Sequence, residues 1–330
     1  MGEKTEFSFP SADGKTQIRA LRWMPDEGTK IIGIVQIIHG MQEFIDRYDA
    51  FASYLTGQGY IVTGNDLLGH GSSIRGGDEN YWGYFGKNAC SGQQPDIAGE
   101  TCGNQNMIRD IRHLQMLTAD LFPSLPYFIL GHSMGSFFAR QYLCIHGNSL
   151  AGAVISGTAF HARPETLGGL FMARFIAHRK GWFYRSPFLN RLTIANLNKQ
   201  FEPSRTPVDW LTRDKAVVDA YIADRRTQFI FTCNGFYTLF QTLKYLTYKS
   251  NLASMPRRLP VMFIAGAEDP VGNNGAGPKR VALQFQNLGM QHIDCRIYSH
   301  DRHEVLNELD KKDVWEDVLS FLHRAITPEF

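Results

Sequence analysis

The sequence predicts an α/β protein: a mostly parallel sheet with helices on both faces and a helical cap inserted before the last strands. Three observations lead there. Short, nearly unbroken apolar runs recur at residues 31–38, 126–130, 151–156 and 261–265, the pattern of strands buried on both faces. Segments of helical periodicity alternate with them, as they must when helices cover both sides of a parallel sheet. From residue 160 to about 259 that alternation stops, and the chain becomes helical in pattern and rich in large rings, of which Phe171, Phe175, Trp182, Phe236 and Phe240 are expected to touch substrate. The expected division is a core in two parts, 1–159 and 260–330, with the cap at 160–259. At 330 residues and 43% hydrophobic content, the chain has enough apolar material for one large core and an insertion.

In order, residues 5–9 and 17–23 flank Asp13-Gly14 and read as an antiparallel hairpin at one edge of the sheet. The buried run 31–38 leads directly into His39-Gly40-Met41-Gln42. A helix over 46–55 is stopped by Gly57-Gln58-Gly59, and a strand over 60–63 follows. In the turn 66–73, the glycine-rich setting makes Asp66 and His70 builders of the turn. Residues 76–103 form a glycine-rich loop carrying Tyr81, Trp82, Tyr84 and Phe85; it is too long for a plain connection and is expected to border a pocket. Over 106–121, Ile108, Ile111, Leu114 and Leu117 share one helical face. Beyond the cap come a strand at 261–265, a helix at 281–288, a strand at 293–298 and a last helix near 315–325.

The strand at 126–130 ends in Gly131-His132-Ser133-Met134-Gly135 and then turns helical. G-x-S-x-G at a strand-to-helix turn is what an exposed nucleophile requires, because only glycines at the flanking positions let strand and helix close on the serine. A helix starting there aims free N–H groups and its positive dipole end at any negative charge forming beside Ser133, with the Met134 N–H nearest. Gly40 frees the backbone after the earlier strand, so the Met41 N–H is the second expected donor of an oxyanion hole. His39 is expected to be packed at the strand end. Asp269, just past the carboxyl end of the strand 261–265, lies where parallel sheets build their sites. Two histidines, His300 and His303, follow the next strand.

Composition removes several classes of function. Thirty-four Lys and Arg against 32 Asp and Glu give a net charge of +2 without blocks of like charge, which argues against nucleic acid as a partner and for small molecules. The first residues lack the apolar core of a secretory signal, and no apolar run approaches the ~20 residues that span a bilayer, so a cytoplasmic protein is expected. Five scattered cysteines, at 90, 102, 144, 233 and 295, show neither a disulfide framework nor metal-ligand spacing. Cys90 and Cys102 share one loop and could bridge if oxidised, a closure worth up to ~3 kcal/mol.

Taken together, His39-Gly40, Asp66-x-x-Gly69-His70-Gly71-x-Ser73, Gly131 to Gly135, Gly266-x-x-Asp269-Pro270-Val271 and Arg302-His303-Glu304 resemble the motifs of a known group. It is the α/β-hydrolases of the monoacylglycerol lipase and bacterial lysophospholipase type, also called serine aminopeptidase-like. Cap residues Trp210-Leu211-Thr212-Arg213-Asp214 resemble its bacterial members, and the likeness runs over nearly the whole chain. It implies an eight-stranded sheet, Ser133 as nucleophile, Asp269 as acid and His303, in preference to His300, as base, in the chain order expected of that fold. It also implies an acyl-ester substrate, no metal or cofactor, and a cap that contacts substrate and transiently a membrane surface. Where some relatives carry smaller residues this chain has Met41-Gln42, which bears on the shape of the pocket mouth. Three alternatives stand beside this reading: a short-chain carboxylesterase, a proline-type aminopeptidase using Glu165, Glu202 or Asp209 to hold an ammonium group, and a ligand receptor that retains the fold.

Overall fold

The computed structural model describes residues 2–86, 103–194 and 196–327; Cys90 and Cys102 lie outside them. The hairpin pairs β1 (Lys4–Pro10) with β2 (Gln17–Trp23), Phe9 opposite Ile18. Then follow β3 (Gly33–Ile38), α1 (Asp49–Thr56), β4 (Tyr60–Asn65), α2 (Gly103–Leu121), β5 (Tyr127–His132), α3 (Met134–His146) and β6 (Gly152–Ser156). The excursion that follows holds α4 (Arg163–Lys180), α5 (Pro187–Thr193), α6 (Lys215–Ala223), α7 (Cys233–Tyr245) and α8 (Lys249–Leu252). The chain returns through β7 (Val261–Gly266), α9 (Ala276–Asn287), β8 (Ile293–Tyr298) and α10 (Lys311–Ala325). All eight strands form one sheet in the order β1-β2-β4-β3-β5-β6-β7-β8, parallel from β4 onward, with β2 antiparallel to both neighbours.

The period of two along each strand divides the core. Ile34, Ile129, Ala153 and Phe263 pack toward α2, α3 and α9, with Ile111, Tyr142 and Phe285 opposite them. Val35, Leu130, Val154 and Ile264 face the other way, onto Phe51 and Leu55 of α1 and Val314, Val318 and Phe321 of α10. Each central strand is thus buried on both faces, which is why its sequence is an unbroken apolar run rather than an alternating one.

Differences from the sequence expectation lie at element ends. The helix expected over 46–55 opens as a single tight 3-10 turn, Ile45–Tyr48, before α1 proper. Within α2 the inner face passes from Leu114 to buried Thr118, so Leu117 stands 36% exposed, off the face assigned to it. Asp66 and His70 belong to the turn itself. Asp66 accepts the Ile45 and Ser72 N–H groups at 2.9 Å each and pairs with Arg19, while His70 is buried among the rings of His39, Phe85 and Phe231. No helix among the described residues is long and apolar enough to cross a membrane.

Candidate active site

The turn between β5 and α3 holds Ser133 at φ 52° and ψ −121°, in the half of backbone space that side chains avoid. Such a conformation costs on the order of 1–3 kcal/mol and persists because its surroundings enforce it. Here the enforcement is close packing: a Cβ on Gly135 would sit 2.1 Å from the Ile38 carbonyl oxygen, and one on Gly131 2.6 Å from the Ala139 Cβ. Only glycines let α3 lie this close to β3, and the half-exposed Ser133 side chain is thereby presented to a cavity of about 660 Å³.

His303 lies on the wall of the same cavity, itself 1% exposed. Its Nδ1–H donates to Asp269 Oδ1 at 2.9 Å, and the same oxygen accepts the Val271 N–H at 2.9 Å. With Nδ1 protonated, Nε2 carries the lone pair, and this atom is buried without a partner among the described residues. Burial pushes the ring's pKa down, but the Asp269 carboxylate outweighs it and, with Glu304 and Glu43 adding, raises the pKa above 6.5. The other histidine, His300, has its side chain 78% exposed beside Glu268 and off the cavity.

The turn after β3 approaches Ser133 so closely that a Cβ on Gly40 would lie 2.9 Å from the serine Cβ. His39 is buried, as expected, and its hydrogen bonds fix this turn. The Leu67 N–H donates to its Nε2 at 2.8 Å, so Nδ1 carries the proton and donates to the Gly40 carbonyl at 2.8 Å. In a planar trans peptide that carbonyl and the Met41 N–H point in opposite directions, so His39 sets the direction of the Met41 donor. The Gly40 N–H is engaged by Glu43. Neither the Met41 nor the Met134 N–H has an acceptor among the described residues, and both residues line the cavity.

A buried polar corner completes the wall, and sequence reasoning missed it. Arg47 donates to Glu43 at 2.9 Å and to both oxygens of Glu304 at 2.7 and 2.8 Å, with its guanidinium over the Tyr221 ring. It therefore ties the Gly40 turn to the residue after His303. Glu43 and Arg47, four apart just past His39-Gly40, were the available sequence signal. Residues 209–213, inside the predicted cap, pair with the histidine loop: the Glu304 N–H donates to the Leu211 carbonyl at 2.7 Å and Trp210 lies 5.1 Å from the His303 ring. Below them Arg213 reaches Asp301, Glu308 and Asp310 at 2.6, 3.0 and 2.7 Å, supplying the positive charge that these clustered carboxylates share.

Of the five rings expected to touch substrate, Phe240 lines the cavity. The other four do not. Phe171 and Phe175 stand 67% and 46% exposed on the outer face of α4, Trp182 packs on Tyr237, and Phe236 is fully buried against Phe231. The helical period explains this: on α4 the inward positions are Thr166, Gly169 and Met172, and on α7 they are Leu239, Phe240 and Leu243. A hydroxyl, an imidazole with a free Nε2, a carboxylate behind it and two unclaimed N–H groups around one apolar cavity are the parts that nucleophilic acyl transfer needs.

The family described as serine aminopeptidase, S33 (Hydrolase_4), matches residues 29–310. A monoacylglycerol lipase of Mycolicibacterium smegmatis is 25% identical over 97% of both chains, and a monoglyceride lipase of Mus musculus is 24% identical over 92% of this chain and 86% of its own. A thermostable carboxyl esterase from Bacillus coagulans, solved in complex with glycerol, superposes with a TM-score of 0.86 at 27% identity, covering 99% of this chain and 100% of the other. On this ground, and on the α/β-hydrolase sheet described above, the chain belongs to the serine aminopeptidase S33 family and is a serine hydrolase.

Proposed function

We propose that the protein hydrolyses monoacylglycerols, with Ser133 as nucleophile, His303 as general base, Asp269 holding the imidazole, and the Met41 and Met134 N–H groups binding the oxyanion. His303 Nε2 takes the serine proton as Oγ attacks the ester carbonyl, and the imidazolium then protonates the leaving alcohol. Water adds by the same route and releases the fatty acid. The segment 160–259 serves as a cap over this centre.

The observation that carries the substrate assignment is the two-part character of the cavity. One part is apolar, with Met172, Phe188, Leu192, Leu239, Phe240 and Leu243, and suits an alkyl chain. The other is the corner of Glu43, Arg47, Tyr221 and Glu304 beside Ser133. Two carboxylates share one arginine there, so the corner offers hydrogen bonds to hydroxyls but repels a phosphate. That favours a glycerol head over a lysophospholipid head, and the similar Bacillus coagulans esterase was solved with glycerol. Each buried methylene contributes about 0.8 kcal/mol, so kcat/KM should rise about tenfold per two carbons until the cavity is full. A panel of 1-monoacylglycerols, p-nitrophenyl esters and lysophosphatidylcholines tests this reading; a flat or short-chain-only profile would indicate a general esterase. An aminopeptidase role finds less support: Asp209 caps its own loop through Thr206, and Glu202 does not line the cavity, which leaves Glu165.

The cap's outer surface suits a lipid–water boundary. Leu167, Phe171 and Phe175, four apart on α4, and Phe188 and Leu192 of α5 are 39–67% exposed, and the last two also line the cavity. Residues 163–193 carry six Lys and Arg against one Glu, a balance that favours anionic lipid. The double variant Phe171→Asp/Phe175→Asp should bind phosphatidylglycerol vesicles at least tenfold more weakly in co-sedimentation. Its hydrolysis of a water-soluble acetate ester should be unchanged, since neither ring lines the cavity. Equal vesicle binding by variant and wild type would remove this surface from the account.

A further inference from the structure

Arg140 lies on α3, seven residues past Ser133, and is 3% exposed. Three other arginines of low exposure are matched to acids, Arg47 to Glu43 and Glu304, Arg19 to Asp46 and Asp66, and Arg213 to three carboxylates, while the less buried Arg185 and Arg302 donate to backbone carbonyls. Arg140 has no carboxylate partner among the described residues. Its Nη1 donates to Thr158 Oγ1 at 3.3 Å and to the Ala159 carbonyl at 3.0 Å, and its Nε–H is buried with no acceptor among the described residues. The Cys144 thiol cannot serve as counter-ion, since burial pushes it up to about 12.

The side chain borders a second, smaller cavity of about 100 Å³ between α3, the start of α4, the end of α7 and α9. That cavity is lined by Arg140, His161, Arg163, Thr247 and Gln284 among others, with no Asp or Glu in its walls. Phe160, also in the wall, is covered by the Arg280 guanidinium at 3.8 Å. Burial drops His161 to about 4, so it is neutral near pH 7 and neither balances nor adds to the charge. Burial lowers Arg140 only to about 10, so the guanidinium stays protonated. A buried, uncompensated cation is unfavourable enough that proteins almost always pair it.

We propose that the cavity beside Arg140 binds a small monovalent anion, a halide or a carboxylate as small as formate, which accepts the free guanidinium hydrogens. Arg140 is the buried charge of this wall, Arg163 being exposed and stacked on Tyr248, so a monovalent ligand matches it, and the volume restricts that ligand to a few heavy atoms. His161 and Leu243 line this cavity and the one containing Ser133, so the bound anion also braces a wall shared with the apolar cavity.

The test is thermal unfolding of the full chain at constant ionic strength, with sodium gluconate replaced stepwise by sodium bromide or by sodium formate. Wild type should gain roughly 2 to 5 °C in Tm as the small anion saturates the site, and Arg140→Met, which removes the charge but keeps the bulk, should show no such gain. A gain with bromide alone assigns a halide site, and one with formate assigns a carboxylate-accepting site. A flat wild-type response, or an equal gain in Arg140→Met, overturns the proposal. Should Arg140→Met fail to fold, diffraction from wild-type crystals soaked in bromide and in formate decides: an anomalous bromide peak or formate density within hydrogen-bonding reach of the Arg140 guanidinium supports the site, and the absence of both overturns it.

Discussion

Replacing Ser133 by alanine is expected to lower ester turnover about a millionfold, the loss typical when the nucleophile of a serine triad is removed. The cause is confined to one atom. Alanine keeps the Cβ that the glycine-lined turn accommodates and loses only the Oγ, the atom proposed to bond to the acyl group. Substrate binding should survive, because the apolar wall and the Glu43–Arg47–Glu304 corner do not depend on that oxygen. The measurement is kcat and KM on a long-chain monoacylglycerol with Tm alongside. A variant that loses less than a hundredfold in kcat would mean that another group attacks the ester.

Asp269→Asn should reduce kcat by about ten-thousandfold, the effect such a swap has where a carboxylate fixes the tautomer of a catalytic histidine. An amide can donate to Nδ1, which would leave Nε2 protonated and unable to accept the serine proton. The same substitution carries a pH signature. In the wild type the His303 pKa lies above 6.5, held there chiefly by Asp269 against the downward push of burial. The acid limb of the kcat/KM profile should therefore fall above pH 6.5, and in Asp269→Asn it should move to lower pH. The stability that the pair contributes has the opposite sense. A pKa raised by folding gives stability that is fully present below the unfolded value near 6.5 and is lost as pH rises through the folded value. Urea unfolding across that range should show the wild type losing this contribution with rising pH and the variant lacking it.

Much of this was legible in the sequence because the informative elements are short and local. The elbow at Ser133 follows from five consecutive residues, and the buried strands from unbroken apolar runs that only a sheet covered on both faces explains. Asp269 drew notice by its place just beyond a strand end and His303, over His300, by the motif around it, and these two residues are hydrogen-bonded at the cavity. Less visible were features made by contacts across distant parts of the chain. Arg47 and Glu304 are 257 residues apart in sequence, yet they join the turn after β3 to the loop that carries His303. Residues 209–213 read as part of a helical insertion but pair with the loop that carries His303. The rings of residues 160–259 were harder to place because a composition rich in aromatics does not say which helical face turns inward. On α4 the inward face is carried by Gly169 and Met172, while the larger Phe171 and Phe175 face outward.

Labelling the intact protein with a fluorophosphonate, followed by digestion and mass mapping of the adduct, tests the central assignment most directly. A single phosphonyl group is expected on the peptide containing Ser133, formed more slowly in the presence of a monoacylglycerol and absent from Ser133→Ala. No adduct on the wild type, or an adduct of equal yield on Ser133→Ala, would contradict it.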